Sequence, residues 1–189
     1  AFLTTRLEDD SGWTSSQASL AFTLLGVAMV FGGPLFIAVV NRIGTRLAFA
    51  LAFASWAVLT TVILAGWLVP TLVSSAALGL LFAGLPTMFT VYVVSNTAPE
   101  DYGPSFAAAT LAFGVAQMMS PQLGGSIADA AGSFAPVFVL SVVLALTGLA
   151  AALRLPRQRS RIAAVETDWR AVNMTFVIGA DESKISDRT

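Results

Sequence analysis

The sequence predicts an all-α membrane protein, a bundle of five transmembrane helices. Three observations carry that prediction. Of the 189 residues, 56% are hydrophobic and 11% charged, against about 25% charged in a soluble domain, and the mean hydropathy is +0.79. The charges are also segregated, falling between Arg6 and Asp10, at Arg42 and Arg46, at Glu100 and Asp101, at Asp129, and from Arg154 onward. Finally, the charge-free intervals each have room for the roughly 20 apolar residues that cross a hydrocarbon core about 30 Å thick. A charge at the centre of that core costs at least about 2.5 kcal/mol, so a bilayer explains the spacing. A soluble bundle needs a polar face on every helix, and whole stretches here have none.

The first span is expected over Gln17–Val40, the second over Leu47–Gly66 and the third over Val69–Val94. The fourth is expected over Ser105–Ala128 and the fifth over Phe134–Leu153. Between them lie NRIGTR, AGWLVP, NTAPEDYGP and DAAGSFAP, each with the Gly or Pro that ends regular structure. Short connections make successive helices antiparallel neighbours. Residues 1–16 read as the end of a truncated helix and an outer loop, residues 17–155 as the five spans, and residues 156–189 as a cytoplasmic tail. The opening AFLTT reads as the last turns of an apolar helix, so the chain is expected to be the back part of a longer protein. In the tail, Ile162, Val165, Trp169 and Val172 share about one helical face. Two readings stand for it: a helix lying on the inner membrane surface, or a disordered segment. Asn173-Met174-Thr175 fits a glycosylation sequon, but a cytoplasmic tail does not meet that machinery.

Lys and Arg near span ends stay on the cytoplasmic side. NRIGTR carries two arginines and the segment after the fifth span carries Arg154, Arg157, Arg159 and Arg161, whereas AGWLVP and DAAGSFAP carry none. NRIGTR and the C-terminus are therefore expected inside, and the N-terminus outside.

Composition excludes several function classes. The net charge is −1 with no basic stripe, so nucleic acid has no electrostatic footprint to bind. With no Cys and no His, there are no disulfides, thiol nucleophiles or usual zinc ligands, and the commonest general base is missing. No cofactor or metal is implied. A membrane-embedded enzyme would need paired intramembrane carboxylates or His-rich helix ends, and the sequence has neither.

GGPLFIAVVNRIGTR resembles the cytoplasmic loop motif of the major facilitator superfamily, a family of secondary transporters. Gly33, Arg42, Gly44 and Arg46 match it, and Asn41 stands where the family often has Asp. In the fourth span, SPQLGGSIAD carries Pro121, Gly124 and Gly125 in the Pro-x-x-Gly-Gly pattern of the family's antiporter helix, and it ends at Asp129. Ser120 replaces the glycine that precedes that proline, so antiport itself is not carried over. Ser120 and Gly124 also suit plain helix packing, because small residues let backbones approach. The third span lacks the intramembrane Arg usual in the front half. The resemblance therefore places the chain as the C-terminal half of a twelve-helix transporter, helices eight to twelve, nearest the YbfB-like bacterial branch. It covers Ala1 to about Pro156.

The resemblance implies alternating access for a small organic solute, a multi-pass place in the bacterial inner membrane, and a missing N-terminal half as partner. Proton coupling is expected from that missing half, since only Asp129 lies near a span. The loop arginines fix topology against anionic head groups, and the family adds a gating role for them. In such folds the solute site lies near the bilayer midplane. Midspan polar residues are the candidates: Gln117 and Gln122 in the fourth span, with Thr87 and Tyr92 in the third. For Gln117 a plain helix-to-helix hydrogen bond competes with site lining. Pro86 and Pro121 remove backbone donors and free carbonyls to line a cavity. From another class, a non-transporting membrane scaffold or assembly subunit remains open.

Overall fold

The structure is a computed structural model and describes residues 2–155. The predicted tail at 156–189, with its apolar face and its sequon, lies outside the described residues. These are helical with short turns, and no strand occurs among them. α1 (Leu3–Thr5) runs into a π-helical turn, Arg6–Asp10. The long helices are α2 (Ser15–Ile43), α3 (Thr45–Leu64), α4 (Leu68–Asn96), α5 (Tyr102–Ala131) and α6 (Ala135–Arg154), with a 3₁₀ turn at Pro99–Asp101 before α5.

Local chemistry explains where the helices begin and end. α2 starts at a capping box: the Gln17 backbone N–H donates to Thr14 Oγ1 at 3.3 Å, and the Thr14 N–H donates to Gln17 Oε1 at 3.1 Å. Two donors of the first turn, otherwise orphaned, are thereby satisfied. At its other end α2 runs through Arg42 to Ile43, and Gly44 alone separates it from α3. Gly44 has φ +80°, a conformation glycine adopts without the Cβ penalty. The expected NRIGTR loop is thus one residue long, with Arg42 in the last turn of α2 and Arg46 in the first turn of α3.

Four helices, α2, α3, α4 and α6, are long and apolar enough to cross a membrane. The expected fourth span differs. α5 has 30 residues, about 45 Å at about 1.5 Å per residue, but its Gly, Ser and Gln content dilutes its hydropathy below that of the others.

The bundle is organised around the α2–α4 seam. A Cβ on Gly32 would collide with the Leu80 carbonyl oxygen and come within 2.9 Å of Ala83 Cβ; one on Gly79 would collide with the Leu25 carbonyl oxygen. The two backbones are therefore in direct contact, the close approach that small residues permit between membrane helices. Gly84 leaves the space that the Phe36 ring fills. α3 lies against α4 and α6. Its Phe53 ring sits over Gly148 of α6, and Trp56 Nε1 donates to Ser141 Oγ at 3.2 Å. Phe36, Val40, Phe49, Leu78, Leu81 and Met88 are buried in the resulting core. α5 touches α4 and α6 at few points, and every residue from Leu111 to Leu123 is exposed.

Candidate functional site

The sequence-predicted residues fall into three places. At one end of the bundle, Asn41 and Arg42 are exposed and Arg46 is half-buried; among the described residues neither arginine has an ion pair. Arg42 is well placed at the negative end of the α2 dipole, whereas Arg46 sits at the positive end of α3, where a cation is disfavoured. Local helix stability therefore accounts for Arg42 and not for Arg46.

The second place is the seam. Thr87 is half-buried, its hydroxyl donates to the Ala83 carbonyl at 3.0 Å, and a Cβ on Gly33 would touch Thr87 Oγ1 at 3.4 Å. Thr87 therefore faces α2. Tyr92 packs edge-on to Phe49 with ring centroids 6.4 Å apart.

The third place is α5. Gln117, Ser120, Pro121, Gln122 and Asp129 are all exposed. Among the described residues neither glutamine amide has a hydrogen-bond partner, and no hydrogen bond links Gln117 or Gln122 to Thr87 or Tyr92. Pro121 lacks the N–H that would normally bond the carbonyl four residues back, which is that of Gln117. The Ser120 hydroxyl donates to this carbonyl instead, at 3.2 Å. Gly124 is buried against the Phe2 ring, while a Cβ on Gly125 would meet nothing within 4 Å.

Two features escaped the sequence reading. The first is a cavity of about 640 Å³ between α3, α4 and α5, walled by Phe49, Phe53, Phe89, Phe106 and Phe113, with Thr90 and Thr110 as its hydroxyl-bearing residues. The Phe49/Phe53 spacing of four and the Phe106/Phe113 spacing of seven, each putting both rings on one helical face, were the available signal. The second is a polar hub at the opposite end from NRIGTR. Arg6 Nε lies 3.3 Å from Asp10 Oδ2, with the two side chains 8% and 17% exposed. Arg6 also donates to Ser11 Oγ at 3.1 Å and to the Leu64 carbonyl at 3.4 Å. Asp10 Oδ2 accepts from Ser133 Oγ at 2.8 Å and from the Phe134 N–H at 2.9 Å. Trp13 Nε1 adds a bond to the Gly66 carbonyl at 3.2 Å. Opposite charges four residues apart in Arg6-x-x-x-Asp10 were the signal there.

Long apolar helices joined by minimal turns, with a positive-φ glycine between two arginines, agree with one comparison. The sequence profile of the Major Facilitator Superfamily matches residues 1–178. The chain belongs to the major facilitator superfamily. Members of this family are transporters rather than enzymes, so the protein is a membrane transporter chain. The match runs beyond Pro156, where the motif resemblance had stopped, and so takes in most of the tail. No curated protein and no solved structure matched the chain.

Proposed function

We propose that the chain forms the C-terminal half, helices eight to twelve, of a proton-coupled secondary transporter of the YbfB-like branch that moves a small organic solute by alternating access. On this reading it sits in the bacterial inner membrane with α5 as a fifth span, the solute path runs along α5, and the N-terminal half covers that face. The observation that carries the reading is the middle of α5. A helix in an otherwise apolar bundle presents two amides, Gln117 and Gln122, that have no partner among the described residues. Amides facing hydrocarbon would be costly, so this face suits contact with polar groups or water.

The arginines on both sides of Gly44 support a cytoplasmic location for that end of the bundle, by the rule that basic residues are retained there. The position of Arg46 against the α3 dipole favours a role beyond helix stability, as the family's gating loop supplies. Cysteines placed at Glu100 and at Trp67, in this Cys-free sequence, test the orientation. An impermeant thiol reagent outside intact cells should label Trp67→Cys and not Glu100→Cys; the reverse pattern overturns the orientation.

Gln117→Leu tests the solute path in the reconstituted transporter. It keeps volume and helix propensity while removing the amide. Apparent solute affinity should fall roughly threefold to a hundredfold, the range for a lost hydrogen bond to a neutral or charged group, with the melting temperature unchanged. A lower melting temperature with normal affinity would make Gln117 a packing residue and remove it from the path.

A further inference from the structure

We propose that the cavity between α3, α4 and α5 binds a neutral, largely aromatic solute that carries a hydrogen-bond donor. This names a solute class for the transporter reading and rests on it. At about 640 Å³ the cavity lies within the roughly 300–1,000 Å³ of small-molecule sites. Its chemistry narrows the occupant in two steps.

The first step concerns charge and hydrogen bonding. No charged side chain lines the cavity, so an anion or cation would enter an apolar space unpaired, at high cost. Both hydroxyl protons are already committed: Thr90 Oγ1 donates to the Pro86 carbonyl at 3.1 Å and Thr110 Oγ1 to the Phe106 carbonyl at 2.8 Å. A hydroxyl has one donor and two acceptor lone pairs, so these threonines offer a ligand acceptance only. The matching solute therefore brings an N–H or O–H.

The second step concerns shape. Three of the rings, Phe49, Phe53 and Phe106, are held before any ligand arrives. Phe49 and Phe53 stack with centroids 6.3 Å apart, Tyr92 meets Phe49 edge-on, and Phe53 is seated over Gly148. Tyr102 and Phe106 stack at 6.0 Å on the α5 side. The part of the wall fixed in this way loses little side-chain entropy on binding. It rewards an aromatic guest with ring-to-ring contacts that an acyl chain does not make.

The test uses the full chain in lipid nanodiscs with 1-naphthol as probe and 1-naphthoate as its charged counterpart, read by quenching of tryptophan fluorescence. Saturable binding of 1-naphthol, at least about tenfold tighter than 1-naphthoate, is expected. Ala112→Trp, which fills the cavity from α5, should weaken binding at least about tenfold, while Leu123→Trp, on the same helix away from the cavity, should not. Equal melting temperatures for these two variants guard against misfolding. Thr110→Val, which keeps shape and removes the acceptor, should weaken binding roughly threefold to tenfold. A non-saturable signal, unchanged affinity in Ala112→Trp, or equal affinity for the two probes overturns the proposal. So does binding in detergent that vanishes in nanodiscs, because an acyl chain then owns the cavity. Saturable binding without uptake into proteoliposomes of the complete transporter supports the site and counts against the transport reading alone.

Discussion

Along the α2–α4 seam a methyl group added at Gly32 or Gly79 runs into the backbone of the facing helix, whereas on α5 a methyl at Gly114 or Gly125 meets nothing within 4 Å. The seam and α5 draw on the same small residues in opposite surroundings. In the seam, glycine is required because two helix backbones touch. On α5, packing within the described residues requires neither these glycines nor the exposed Gln117 and Gln122. The composition of α2 and α4 is thus explained by this bundle, and that of the middle of α5 by something the helix meets beyond it. A Gly-rich motif therefore acquires meaning only from its neighbours.

The sharpest way to break this comparison is Gly79→Leu. Overpacking typically costs about 1–3 kcal/mol, and here the obstruction is a main-chain carbonyl that no rotamer change relieves. Little monodisperse protein should be recovered after size-exclusion chromatography; a normal yield with a melting temperature near wild type would show that the seam is not close-packed. A smaller loss is expected at the hub. Asp10→Ala leaves Arg6 without its counter-ion and removes the acceptor for Ser133 and Phe134. Hydrogen bonds to charged groups contribute about 1.5–3 kcal/mol, so thermal unfolding in detergent should report a loss of that order. No measurable change would mean the hub is solvated and energetically idle. The smallest effect is expected on α5, where Gly125→Ala has open space and gains helix propensity, about 0.5–1 kcal/mol in favour of the variant. A destabilised Gly125→Ala would erase the contrast between the two regions.

Hydropathy made α2, α3, α4 and α6 legible as spans, and the charge-free run from Tyr102 to Ala128 made α5 legible as a helix although its hydropathy is lower. Their ends were less so. The first span was expected from Gln17, but the box that Thr14 forms with Gln17 starts α2 at Ser15, since capping is decided by side-chain hydrogen bonds that hydropathy does not register. Gly44 was legible as a break, yet the helical dihedrals of Arg42 and Arg46 on either side were not. At the site, the exposure of Gln117 and Gln122 and the facing of Thr87 toward Gly33 follow from how helices rotate against one another. That rotation depends on long-range packing such as Gly79 on Leu25, which no local pattern encodes. The phenylalanine cavity was hidden for the same reason: its rings come from three helices, and each ring alone resembles ordinary core.

The hub around Arg6 and Asp10 joins the N-terminal turn to the α3–α4 and α5–α6 turns, all at one end of the bundle. At the other end no ion pair exists among the described residues, and α2 and α3 meet through the single residue Gly44. The two ends are thus closed by different means: the hub is a polar clasp between segments more than 120 residues apart in sequence, whereas near Arg42 and Arg46 the helices are held by the buried side chains of Phe36, Val40, Phe49 and Met88.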